Sequence, residues 1–183
     1  MAHMREIKSR IKGIKETRQV TNAMKLISAA KLKKARQQLE ETLPFFNKVK
    51  LTIADILVHS ANVESVFFSL GNAEKTDRKG YLILTGDKGL AGGYNHNIVK
   101  FAERQFESDP AAMLFIAGHM GRSYFSRKSF SLYKGFDYQV QSPTVQRARE
   151  IAETMLEMYI NGELNEVYLI FTKMVSVSYT HLT

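Results

Sequence analysis

The sequence predicts an α/β fold, a small mostly parallel sheet with flanking helices, carrying a long N-terminal helix of the coiled-coil type. Three observations predict it. The first sixty residues hold one Gly and one Pro, Gly13 and Pro44, and an apolar stripe with helical spacing. From Gly80 onward, short apolar runs alternate with amphipathic stretches, the grammar of strands joined by helical crossovers. Between the two lies a polar connector.

The stripe runs Ile7, Ile11, Ile14, then Val20, Met24, Ile27, then Leu32, Ala35, Leu39, Leu43, Phe46, Val49, Ile53 and Ile56, mostly in steps of three and four. Such a seam is close to a heptad and requires a partner, because an isolated helix draws most of its stability from packing of its apolar face. A helix from about Met4 to Ser60 extends on the order of 85 Å, wider than any single-domain core. Met1-Ala2-His3-Met4 is given no structural weight. The expected organisation is a basic helix over 1–60, a connector over 61–79 with one short apolar contact at Val66 to Phe68, an α/β domain of Rossmann-like type over 80–175, and a tail over 176–183.

Within the α/β stretch, Tyr81-Leu82-Ile83-Leu84-Thr85 reads as a buried strand ending at Gly86. A helix is expected from near Asn95 through Ile98, Phe101, Ala102 and Phe106, stopped by Ser108-Asp109-Pro110. Met113 to Ala117 is a second strand closed by Gly118, Met120 to Arg127 a shorter helix, and Ser131-Leu132-Tyr133 a third strand. Ser142 is expected as N-cap with Pro143 at the first helical position. The helix they open carries Val145, Ala148, Ile151, Ala152, Met155, Leu156 and Tyr159 on one face, with Gly162 beyond its end. Glu166 to Thr172 is the last strand.

The chain has 183 residues, no cysteine and a net charge of +8. Disulfides and thiolate sites are therefore excluded, and no apolar stretch has transmembrane length. Residues 1 to 50 carry thirteen Lys and Arg against four Glu, a net +9, so the remainder sums to −1. The excess positive charge thus sits on the rod and calls for an acidic partner. Nucleic acid is disfavoured because no aromatic residue precedes Phe45 to stack on bases. A membrane-surface helix lacks the aromatic residues its apolar face would need. An acidic protein surface meets neither objection.

The loop Gly86-Asp87-Lys88-Gly89-Leu90-Ala91-Gly92-Gly93-Tyr94-Asn95 lies between strand and helix, where phosphate loops occur. It matches neither the P-loop nor the dinucleotide fingerprint and reads as a tight turn. His96, His119, Asp87 and Lys88 near strand ends offer an alternative reading as a small α/β enzyme or nucleotide binder. No catalytic spacing accompanies them.

Arg5-Glu6-Ile7-Lys8-Ser9-Arg10-Ile11-Lys12 and Thr17-Arg18-Gln19-Val20-Thr21-Asn22-Ala23-Met24-Lys25-Leu26-Ile27-Ser28-Ala29-Ala30-Lys31-Leu32 resemble the start of the gamma subunit of bacterial F-type ATP synthases. Gly80-Tyr81-Leu82 followed by Asp87 to Asn95 resembles that family's second motif. The resemblance covers Met4 to about Val175. It implies a central-stalk rotor that couples proton translocation to ATP synthesis or hydrolysis on the alpha-beta hexamer, without catalysis of its own, cofactor or metal. It further implies an antiparallel coiled coil between the N-terminal helix and a returning C-terminal one. Implied partners are the alpha and beta subunits, the epsilon subunit and the membrane c-ring, with no nucleic acid and no direct membrane insertion. The implied location is the cytoplasmic face of the bacterial inner membrane, as a peripheral protein. Lys8, Arg10, Lys12, Lys15, Arg18, Met24, Lys25 and Lys31 become the expected partner interface, and Asp87, Lys88, Gly89, Gly92 and Gly93 the loop of the α/β domain. Family members continue into the returning helix, whereas this sequence stops at Thr183 after a stretch from Ser178 without family character; the expectation is a truncated chain unable to transmit torque alone.

Overall fold

The structure, a computed structural model, describes residues 2–59, 76–174 and 180–182. The chain divides into two compact units, one containing the first helix and the other every later element.

Helix α1 (Ala2–His59) is a single helix of 58 residues that passes Gly13 and Pro44 without a break. At ~1.5 Å per residue it spans roughly 87 Å. Thr17, Thr21, Thr42 and Thr52 each donate a hydroxyl to the carbonyl four residues earlier, so these poor helix formers satisfy their side chains within the helix. Among the side chains from His3 to His59 none is buried, and only Arg36 is half-buried. The expected uninterrupted helix and its exposed apolar stripe are both present. Ser60 and most of the connector, with the contact at Val66 to Phe68, lie outside the described residues.

In the second unit, β1 (Lys79–Leu84), α2 (Tyr94–Phe106), β2 (Met113–Ala117), α3 (His119–Phe125), β3 (Ser131–Leu132), α4 (Val145–Ile160) and β4 (Glu166–Ile170) follow in order. The sheet has the order β3-β2-β1-β4 and is parallel throughout. Each connection between successive strands includes a helix, which is what a parallel pairing demands. Alternation along β1 sends Tyr81 and Ile83 to a core with Ile98, Ala102, Phe106 and Phe125 of α2 and α3. Leu82 and Leu84 face the opposite core, built on Phe115, Phe136, Met155, Met158 and Leu164 with α4.

Two details differ from expectation. The N-cap of α4 is Thr144, whose hydroxyl accepts from the Arg147 amide at 3.2 Å, and Pro143 precedes the helix. Ser142 has φ +58°, a left-handed turn incompatible with the extended backbone of an N-cap. The reason is tertiary: the amides of Val140 and Gln141 are tied to Asp87, so the chain must reverse before a helix can begin. The last expected strand also divides, β4 ending at Ile170 and β5 (Thr172–Met174) pairing antiparallel with β6 (Thr180–Leu182). Gly162, at φ +76° just past the Asn161 C-cap, closes α4 as its position predicts.

The ends of β1 and β2 are joined by Thr85, the single buried polar residue among those described. Its hydroxyl lies 3.1 Å from the Ala117 carbonyl and accepts from the Gly121 amide at 2.9 Å. Glycine is required beside it: a Cβ on Gly118, at φ +98°, would stand 2.2 Å from the Thr85 carbonyl oxygen, and one on Gly121 would stand 2.5 Å from Thr85 Cγ2. On the same side of the sheet, Glu103 of α2 accepts from Lys100 at 3.0 Å, from Tyr124 of α3 at 3.0 Å and from Lys128. Burial alone pushes this carboxyl up, but the three hydrogen bonds together outweigh it and hold Glu103 below its ordinary value.

Two outcomes follow for the α/β unit. Gly118→Ala or Gly121→Ala lowers its unfolding free energy by about 3 kcal/mol or more in urea titration, since strained backbone and overpacking add. Because the folded Glu103 is the stronger acid, its contribution is complete above the ordinary value of 4.5 and disappears as pH falls through the depressed folded value. Glu103→Gln removes that acid-limb dependence in unfolding curves measured from pH 6 downward.

Candidate partner interfaces

The loop from Gly86 to Asn95 leaves the carboxyl end of β1 and is held from inside. Asn95, in the first turn of α2, accepts from the Gly86 amide at 2.8 Å and donates to the Lys88 carbonyl at 3.2 Å. Asp87 accepts from the Val140 amide at 3.2 Å with one oxygen and from the Gln141 amide at 2.7 Å with the other. The order of the sheet reverses between β1 and β4, the crevice where open α/β sheets bind ligands. Here the carboxylate at that mouth binds the chain's own segment entering α4. Gly92 supplies φ +56° for the turn, and Gly93 caps α2 without a side chain. The tight-turn reading of this loop therefore describes its geometry.

Asp87, Gly92 and Gly93 thus build the loop, while Lys88 and Gly89 stand on its exposed side. His96 and His119 are exposed at the starts of α2 and α3. Among the described residues no group of His, Asp and Glu could hold a metal ion. The residue that sequence reasoning passed over is Leu90, which projects from the loop tip 97% exposed at φ +59°. An apolar, non-glycine side chain in the left-handed region is uncommon, and nothing in its residue type announces that conformation.

On α1 the expected interface residues fall on distinct faces. Ile7, Ile11, Ile14, Leu32, Ala35, Leu39, Phe46, Val49, Ile53 and Ile56 keep one heptad register along the helix. Lys8 and Lys15 flank this seam on one side, Arg10 and Lys31 on the other, and Lys12 lies outward, 3.9 Å from Glu16. In the centre the seam turns polar: Arg18, Thr21, Lys25 and Ser28 occupy its positions. The apolar residues there, Val20, Met24 and Ile27, are displaced by at least one position and present a separate patch, all three more than half exposed. The stripe of the sequence is thus two surfaces, an interrupted seam and a side patch.

The described residues thus give a long helix with two exposed apolar surfaces and an α/β unit whose loop carboxylate and amide are bound to backbone, a protein of the class that joins a long helix to an α/β domain. A protein-family profile described as ATP synthase matches residues 3–183, and the chain belongs to that family. It is 58% identical over 175 residues to the ATP synthase gamma chain of Ruminiclostridium cellulolyticum, covering 95% of this chain and 60% of that protein. It is 51% identical over 177 residues to the ATP synthase gamma chain of Acetivibrio thermocellus, with 96% and 60% covered. The chain spans about 60% of the length of these relatives. The fold is similar to a chain of the Tetrahymena thermophila mitochondrial ATP synthase central stalk and c-ring, with TM-score 0.65 and 22% identity over 90% of this chain and 70% of that one. The gamma-subunit resemblance of the two sequence motifs agrees with these comparisons.

The loop geometry sets an expected stability order. Asp87→Ala, which frees the amides of Val140 and Gln141, lowers unfolding free energy by about 1.5–3 kcal/mol. Lys88→Ala changes it by no more than about 0.5 kcal/mol. Urea unfolding of the purified chain measures both.

Proposed function

We propose that the chain is the N-terminal and α/β portion of a central-stalk rotor subunit of an F-type ATP synthase. In this reading it couples proton translocation to ATP synthesis or hydrolysis on an alpha-beta hexamer and is not itself catalytic. The observation that carries the proposal is the 58-residue helix α1, whose apolar side chains from His3 to His59 are all exposed. Family membership supplies the assembly in which such a rod has a use. Its partners are alpha and beta subunits along the rod, and an epsilon subunit and membrane c-ring at the α/β unit. The protein then sits peripherally at the cytoplasmic face of a bacterial plasma membrane.

The division of α1 into faces supports the assignment of residues. The interrupted heptad seam accepts a returning antiparallel helix, as Lys8, Lys15, Arg10 and Lys31 at its flanks would be expected to border one. Met24, in the side patch with Val20 and Ile27, is left for a different neighbour, the beta subunits, with Lys25 and Arg18 adjacent. Exposed ion pairs contribute only about 0.2–1 kcal/mol each and are screened over about 8 Å at physiological salt. A ring of weak pairs centres a turning shaft while allowing partners to exchange, whereas buried bidentate pairs would hold it in one position. The same reading leaves Asp87, Lys88, Gly89, Gly92 and Gly93 as a structural loop whose outer side meets a protein rather than a phosphate.

Reversing charge at Lys8, Arg10, Lys12 and Lys25 together weakens copurification with alpha and beta subunits about tenfold or more at physiological salt. Unchanged assembly by the quadruple variant contradicts the rod interface. Calorimetric titration of the unaltered chain with ATP gives no binding heat; saturable heat would instead favour the nucleotide-binding reading of the loop.

A further inference from the structure

The charges of the α/β unit are sorted along the chain. Residues 100–137, from α2 past β3, hold six Lys and Arg against four Asp and Glu, and within them residues 122–134 hold four cations and no carboxylate. Residues 145–166, which contain α4, hold two Arg against five Glu. The six cations gather at the β3 edge of the sheet. Lys100, Arg104 and Lys128 line a depression of about 630 Å³, Arg122 and Lys134 line another of about 470 Å³, and Phe130 stands in the wall of both. Arg127 is exposed beside Lys128.

Part of this charge is already used. Lys100 and Lys128 share Glu103, and Arg122 lies 3.3 Å from Asp137. Arg104, Arg127 and Lys134 are exposed, and among the described residues no carboxylate lies within ion-pair distance of them. They stand around a rim rather than converging on one point, so a single small anion is a poor match. A layer of anionic headgroups requires no convergence, because its field acts on every cation within a Debye length of about 8 Å. Half-buried aromatic side chains lie among these cations: Tyr124, Phe130 and Tyr133. Phe130 is anchored edge-on to Phe106 of the core, with ring centroids 5.1 Å apart. Tyrosines interleaved with Lys and Arg suit the boundary of a bilayer, and they are the aromatic complement that the first forty-four residues of α1 lack.

We propose that the β3 edge of the α/β unit rests against an anionic lipid surface, through Arg104, Arg127 and Lys134, with the acidic α4 side turned away. This rests on the peripheral membrane location given under the proposed function and adds to it the lipid class and the edge that meets it. Each Lys or Arg brought to an anionic headgroup layer strengthens partition about fivefold.

Because α1 is itself basic and the chain has no cysteine, a single polarity-sensitive fluorophore gives a local readout in the whole chain. Ser129→Cys carries it on the basic edge and Gln146→Cys on α4, both at exposed positions. The probe is vesicles of equal parts phosphatidylglycerol and phosphatidylcholine at physiological salt, compared with phosphatidylcholine alone. The mixed vesicles shift the Ser129→Cys emission to the blue, saturably. Phosphatidylcholine does not, and the Gln146→Cys emission stays unchanged with both. Arg127→Gln combined with Lys134→Gln weakens the vesicle affinity read at Ser129→Cys about tenfold or more, and Arg104→Gln with Arg127→Gln does the same should the first pair lose its far-UV circular dichroism. No shift at Ser129→Cys, equal shifts at both labels, or an affinity unchanged by the substitutions overturns the proposal. A response to poly-glutamate without one to vesicles also overturns it and assigns the edge to an acidic protein. Loss of the vesicle response with assembly onto alpha and beta subunits retained defeats this inference alone, whereas failure of the unaltered chain to assemble defeats the rotor reading.

Discussion

The organising constraint of this molecule is an apolar edge that its own helix cannot bury. Along α1 a heptad register persists from Ile7 to Ile56, and every apolar side chain in it is exposed. Helix propensity and a few i,i+4 pairs contribute tenths of a kcal/mol each, whereas the apolar side chains of the seam are each worth about 1.5–3 kcal/mol when fully buried. Whatever covers that edge therefore dominates the energetics of the rod. This gives the helix its character as an interaction element before any partner is named.

The α/β unit follows the opposite logic, with its functional-looking polar groups turned inward. Thr85 joins the ends of two strands to α3, Asp87 fastens the segment entering α4, and Asn95 folds the glycine loop onto its own helix. Each group sits where an α/β enzyme would place a ligand contact, and each is committed to the backbone. Leu90 stands exposed at the tip of a loop that these bonds brace from beneath.

The central stretch of α1 departs from a uniform apolar edge. A seam uniform from end to end would describe a two-helix shaft and nothing more. Arg18, Thr21, Lys25 and Ser28 instead interrupt it, while Val20, Met24 and Ile27 move to one side. A second surface on the same helix is what a shaft requires if it meets both a partner helix and a surrounding ring.

Most of the architecture was legible because it rests on local periodicity. A stripe over fifty residues admits one helix, and apolar runs such as Met113 to Ala117 punctuated by glycine admit buried parallel strands. The order of charges placed the positive excess on the rod without reference to any coordinate. Where the reading failed, the deciding partner lay far away in sequence. Ser142 and Pro143 form a good local start for α4, but Asp87, more than fifty residues earlier, holds Val140 and Gln141 and moves the cap to Thr144. Gly118 reads only as the close of a strand until Thr85 stands against it and against Gly121, and the left-handed Leu90 sits in a loop closed by Asn95. Sequence alone determined the elements, their order and the unsatisfied apolar edge, since those depend on neighbours three or four residues apart. Only the tertiary structure decided which polar groups are already spent and where α4 is capped, because both depend on which distant segments meet.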